Sequence, residues 1–295
     1  MARFRKLELG IGLPGDTNPD GPSGNEQAGC LELAVEQRRC GNYENALRLY
    51  SRALEDDKSL VTGWLGQVQM LIMLDESVEA ELWSRKALEL FPGNGDLLAG
   101  RAQAFRRMGD KGQALLLSDG ALKSAGQSAY RWMVRGELMI VIGQETHLHC
   151  FDKAVQIDQD WLVPLEIALI YRDLGAPSRA LGRIRRAVEL APDRYYAWFV
   201  QGQVERDLGL EAAAIKSWRH CLELSHGHVD AERELAQLEA GRWGVFGVAC
   251  LETDNGLDTR KDSEGRATIK SQRRPFDHKY GAAVAHRWRN PSRRR

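Results

Sequence analysis

Cysteine is scarce in this sequence, five residues in 295, at positions 30, 40, 150, 221 and 250. The number is odd and no Cys-x-x-Cys occurs, which excludes a disulfide framework and leads us to expect a reduced, cytoplasmic setting. Long apolar runs are missing too. Nothing approaches the ~20 residues of a membrane span, and "MARFRKLELGIGLPGD" has positive charge but no continuous apolar core of a signal peptide. No P-loop, G-x-S-x-G elbow or H-E-x-x-H helix occurs. "GIGLPG" at 10–15 has the glycine spacing of a dinucleotide turn, but Pro14 sits inside it and "DTNPDGPSGN" follows. No helix begins there whose amides could hold a phosphate.

Net charge is also absent, with 41 basic and 41 acidic side chains. The balance hides an asymmetry. Residues 260–295 hold 12 Lys/Arg against 3 Asp/Glu, leaving 29 basic and 38 acidic side chains before them. An acidic body precedes a basic end.

Glycine and alanine, by contrast, recur in register. Gly41, Gly109, Gly143, Gly175 and Gly209 fall close to a 34-residue period, with Asp75 in the remaining slot. A small residue follows the turns at Ala46, Ala80, Ala114, Ala180 and Ala214, and another at Ala53, Ala87, Ala121, Ala187 and Cys221. Seven residues before the turn the slot is again mostly small: Ala34, Ala102, Gly136, Ala168, Gly202. Small residues let helices approach, and large ones such as Tyr50, Ile184 and Trp218 fill the space beside them. Pro92 and Pro192 stop helices in the same register. Ordinary amphipathic helices share the 3.6-residue period but not this longer one.

The pattern resembles the tetratricopeptide repeat, a 34-residue helix–turn–helix unit. The resemblance covers 27–228 in six units, 27–60, 61–94, 95–128, 129–160, 161–194 and 195–228. It implies an all-α, right-handed α-solenoid, with "VDAERELAQLEA" (229–240) as the polar capping helix. The expected division is a flexible segment 1–26, a solenoid 27–240 and a flexible basic tail 241–295, with "GRWGVFGVACLE" adding a strand or an apolar flap. The fourth unit departs from the pattern. Its turn is one residue short, which puts His147 in an alanine slot and should push helices apart or bend the stack.

The resemblance also implies a function: a protein–protein interaction scaffold or adaptor, not an enzyme, whose concave groove takes a partner's peptide or helix. By register, the fifth position of each first helix faces the groove with Leu65, Met133 and Phe199 among its members. The ninth holds Gln69, Gln103, Glu137 and Gln203. The twelfth holds Arg106, Arg172 and Arg206, with Arg107 beside the first. Apolar, amide and guanidinium stripes would suit an acidic segment with apolar anchors. The alternative is that these Arg residues pair with the chain's own acids. The Lys/Asn clamp that family members use for a C-terminal carboxylate is absent from the first three units.

No catalytic residue, metal or cofactor is expected. The clusters "THLHC" and "RHCLELSHGH" contain zinc-ligand residue types. They lie two units apart, however, and His147 and Cys221 occupy packing slots. A minor metal-binding or enzymatic role is the weaker alternative. Another alternative is nucleic-acid or acidic-partner binding by the basic end, where Arg273, Arg274 and Trp288 combine cations with an aromatic ring. No membrane role is expected.

Overall fold

The computed structural model describes residues 24–252, with side chains placed over 29–240. Among the described residues there are thirteen α-helices and no strand. Six antiparallel pairs follow one another: α1 (Gly24–Arg39) with α2 (Tyr43–Asp56), α3 (Val61–Met73) with α4 (Ser77–Leu90), and α5 (Gly95–Met108) with α6 (Lys111–Lys123). Then come α7 (Ala129–Val141) with α8 (His147–Ile157), α9 (Leu162–Asp173) with α10 (Pro177–Leu190), and α11 (Tyr195–Asp207) with α12 (Glu211–Leu224). The last helix is α13 (Val229–Glu252). The chain divides into two compact units, 1–244 and 245–295. The fold described below is that of the first. Of the second, only the helical end 245–252 is described.

Each pair turns as the sequence predicts. Gly41, Gly109, Gly143, Gly175 and Gly209 all have positive φ, and Asp75 adopts φ 62° in the one slot without glycine. In all six turns the amide after the left-handed residue bonds a carbonyl five residues back, as Asn42 does to Gln37 and Leu210 to Glu205. That closure satisfies carbonyls the helix end would otherwise leave bare.

The small slots are the packing contacts. Ala46, Ala80, Ala114, Ala180 and Ala214 are fully buried, as are Ala34, Ala102 and Ala168. Gly136 and Gly202 are the extreme cases, because a Cβ there would overlap the rings of Phe151 and Trp218 from the second helix of the same unit. Trp218 also donates its indole N–H to the carbonyl of Phe199 at 3.1 Å.

One stretch differs from expectation. The strand anticipated over 241–252 does not form, and α13 continues to Glu252. Extending an existing helix costs far less than nucleating a new element, and no proline intervenes. The proposed tail residues Arg273, Arg274 and Trp288 lie outside the described residues, as does the segment 1–23.

The departure at the fourth unit is present. His147 is buried at the start of α8, the shortest helix at 11 residues. Its ring meets Phe151 and Tyr171 edge-on. Its Nε2 lies 3.1 Å from Arg179 and its Nδ1 2.9 Å from the Gln144 carbonyl. Arginine can only donate, so the imidazole is the neutral Nδ1–H tautomer, donating to Gln144 and accepting from Arg179. Within α1–α12, α8 and α9 share the sparsest junction between consecutive helices.

Candidate functional site

The first helices carry the polar residues singled out by register, and half of these converge on one cavity of about 420 Å³. Its walls include Gln69, Gln103, Arg107, Met133 and Arg172 from the expected stripes, and Arg38 from the first unit. Met70, Met73, Leu169 and Ile170 add an apolar floor.

The guanidinium stripe is internally paired. Arg38 bonds Glu166 and donates to Gln69 Oε1 at 2.7 Å. Burial pulls the Arg38 proton affinity down, but Glu166 outweighs it and holds the guanidinium well above its usual range. Arg106 pairs with buried Glu137 and with Asp173 at 3.2 Å. Arg107 meets Asp173 at 3.0 Å. Arg172 reaches Asp207 at 2.6 Å and donates to Gln203 at 2.7 Å. Glu137 also accepts from Gln103 at 2.7 Å, and Gln103 accepts from the Tyr130 hydroxyl at 2.8 Å. Of the charged residues lining the cavity, Arg38, Arg107 and Arg172 balance Glu166, Asp173 and Asp207.

Six expected residues do not line the cavity: Arg106, Glu137 and Gln203 belong to the pairing network around it, and the other three stand elsewhere. Leu65 packs beside Trp64, Leu54 and Leu97 between units. Phe199 is core, against Tyr196 and His228. Arg206 pairs with Glu234 of α13 and lies over Trp218 at 5.8 Å, bracing the last helix. The register put them on groove positions, but the rotation of each unit against the next decides which positions look inward.

The sequence reading missed the partners Glu166, Asp173 and Asp207. A signal existed. The first helices of units one and three end in Arg-Arg, at 38–39 and 106–107, and those of units five and six in Arg-Asp, at 172–173 and 206–207. Complementary charge at one register position is the mark of pairing across units.

A second cluster joins distant parts of the chain. Arg39 forks onto both carboxylate oxygens of Asp160, at 2.9 and 3.1 Å, and lies over the Trp161 ring at 5.1 Å. Arg194 lies over the same ring at 5.9 Å and reaches Glu36 at 2.6 Å. The Tyr43 and Tyr196 hydroxyls bond at 2.8 Å. The Gly41 turn fits so closely against Tyr196 that a Cβ there would overlap the ring. The first unit thus meets the fifth and sixth, and Asp160 at the end of the fourth.

The histidine clusters do not form a site. Among the described residues no three His, Cys, Asp or Glu side chains gather as metal ligands would. Burial pushes the Cys221 thiol up to about 12 and raises that of Cys150, so both thiols stay protonated. No described helix is long and apolar enough to cross a membrane.

The family model for the tetratricopeptide repeat matches residues 31–95 and 165–218. No curated protein matches the sequence. Similar solved structures include a tetratricopeptide repeat protein from Parabacteroides merdae, at 17% identity over 74% of this chain and 86% of that one, with a TM-score of 0.46. A thermophilic TPR protein from Thermus thermophilus is 16% identical over 72% of this chain and 99% of that one, with a TM-score of 0.45. A monomeric mutant of IFIT1 with Gppp-AAAA is 19% identical over 76% of this chain and 55% of that one, with a TM-score of 0.53. At 19% identity the likeness to the last of these is one of fold alone.

Proposed function

We infer that this chain, which belongs to the tetratricopeptide repeat family, is a protein–protein interaction scaffold that holds a partner segment in the cavity between its first helices. The observation that carries the reading is the convergence of five residues from the groove stripes, Gln69, Gln103, Arg107, Met133 and Arg172, on one cavity of about 420 Å³. That volume lies within the range of small-ligand sites, so it suits a short stretch of a partner rather than a segment laid along all six units. Met70, Met73, Met133 and Leu169 offer adaptable apolar contacts for an anchor side chain. The Arg107 Nε–H is buried without a partner among the described residues, a donor that a backbone carbonyl of the segment would satisfy.

The pairing of the Arg stripe changes the expected chemistry of the partner. An acidic side chain would have to displace Glu166, Asp173 or Asp207 from guanidiniums they already neutralise. The segment we propose is therefore uncharged at its centre, with an apolar anchor flanked by amide or hydroxyl groups.

A random-peptide display library selected on the full chain supplies the ligand. Leu169 is only partly buried at the cavity wall, so Leu169→Trp fills space without overpacking the core. The affinity of a selected peptide should fall at least tenfold with the melting temperature unchanged. Equal affinity for the variant contradicts the reading.

A further inference from the structure

In a solenoid each unit needs only its neighbours, so contacts between the first unit and the fifth and sixth are not required by stacking. Yet they are numerous and specific. Arg38–Glu166, Arg39–Asp160, Glu36–Arg194 and Tyr43–Tyr196 join residues 121 to 158 positions apart. Arg38 and Glu166 of this set are also walls of the cavity, so the same contacts that join the units bound the proposed binding space on one side.

The contacts are of a kind that can release. Two of the three ion pairs, Arg39–Asp160 and Glu36–Arg194, have partial access to solvent and are screened by salt, while Arg38–Glu166 is the more buried one. The stretch of chain between the meeting surfaces also contains the sparsest junction, α8 against α9. There the alanine slot holds His147, and edge-on rings, Phe151 and His147 on Tyr171, bridge the two units. A reversible closure and a loose joint together make a gate.

We propose that the first unit closes the groove against the fifth and sixth through these polar contacts, and that it swings away at the α8–α9 junction to admit the partner segment. The proposal rests on the cavity being the binding site and adds how access to it is regulated. Closure should weaken with salt, and an ionic perturbation at Arg39 or Asp160 should change the rate of entry more than the contacts inside the cavity.

The test uses native Cys40, beside which Tyr195 places its hydroxyl 3.4 Å from the backbone carbonyl. In a full-length background carrying Cys30→Ser, Cys250→Ser and Arg194→Cys, a short bis-maleimide with a reducible spacer joins position 194 to Cys40 only when the gate is closed. The intramolecular linking rate should fall at least fivefold with Arg39→Glu and recover when Asp160→Arg is added. The linked protein should associate with the library-selected peptide at least tenfold more slowly than the same protein after the spacer is reduced. Linking that is indifferent to Arg39→Glu overturns the gate, and so does equal association by linked and reduced protein. Linking is read without peptide, so failure of the cavity itself as the site shows separately, in the Leu169→Trp titration.

Discussion

A methyl group on Gly202 would overlap the indole of Trp218, which is fully buried and hydrogen-bonded to Phe199. Gly202→Ala gains about 1 kcal/mol of helix propensity but overpacks the site by about 1–3 kcal/mol. Overpacking should win, and thermal melting should show a net loss of about 1 kcal/mol. Arg131 is the corresponding polar case. It is buried, its Nη1 donates to the carbonyls of Ala125 and Gly126 at 3.1 and 2.8 Å, and its Nε donates to Asp96 at 3.0 Å. One planar guanidinium thereby closes the end of α6 and ties it to α5. A lysine ammonium cannot reproduce that fork. Arg131→Lys should cost about 2 kcal/mol, read by denaturant unfolding, because it leaves carbonyls at the end of α6 without their donor, while the half-buried Asp96 keeps only Ser128. A cost under about 1 kcal/mol would show that the fork is dispensable.

At the scale of the element, the helices and turns were legible because each depends on residues close in sequence. The left-handed turns at Gly41 through Gly209, Asp75 included, follow from chain chirality and the 34-residue register. The buried alanines follow from packing distance. His147 was legible as a disturbance because it breaks a slot that its neighbours keep. Its neutral tautomer and its Arg179 partner were not, since they depend on where α10 lies. Hydrogen exchange should report the same disturbance. Amides in the first turn of α8 should open more readily than those of α4 or α6, where the alanine slot is intact, because local opening follows local contact density. Uniform protection across the three helices would mean that the α8–α9 junction is as firm as the others.

At the scale of the whole solenoid the sequence was least informative. Which groove residues face one cavity, and that the first unit meets the fifth and sixth, depend on the summed rotation of successive units. Small differences at each junction accumulate, and no single residue encodes their total. Leu65, Phe199 and Arg206 lie outside this cavity for that reason, and the pairing of Glu166 and Asp160 with Arg38 and Arg39 has the same origin. The closure carries its own pH signature. Burial pushes the Tyr196 hydroxyl up to about 12, and the Tyr43 hydroxyl also lies well above its usual range, first through burial and then through its neighbour. Unfolded tyrosine titrates near 10, so the folded state retains protons that the unfolded state releases. Stability is therefore fully present below about pH 10 and is lost as pH rises toward about 12. Tyr196→Phe should cost about 1 kcal/mol near neutrality and lessen that alkaline loss in a series of denaturant midpoints, the other raised tyrosines keeping the rest.

The methionines offer the most direct view of the groove. Met70, Met73 and Met133 line the cavity, whereas Met108 is exposed at the end of α5 and Met139 is buried away from it. With the methionine methyls labelled in the full chain, a library-selected peptide can be titrated and each methyl resonance followed. If the cavity between the first helices is the binding site, Met70, Met73 and Met133 shift together and saturate with one affinity while Met108 and Met139 stay in place. Shifts at Met108 or Met139 with the three cavity methyls unmoved would contradict it.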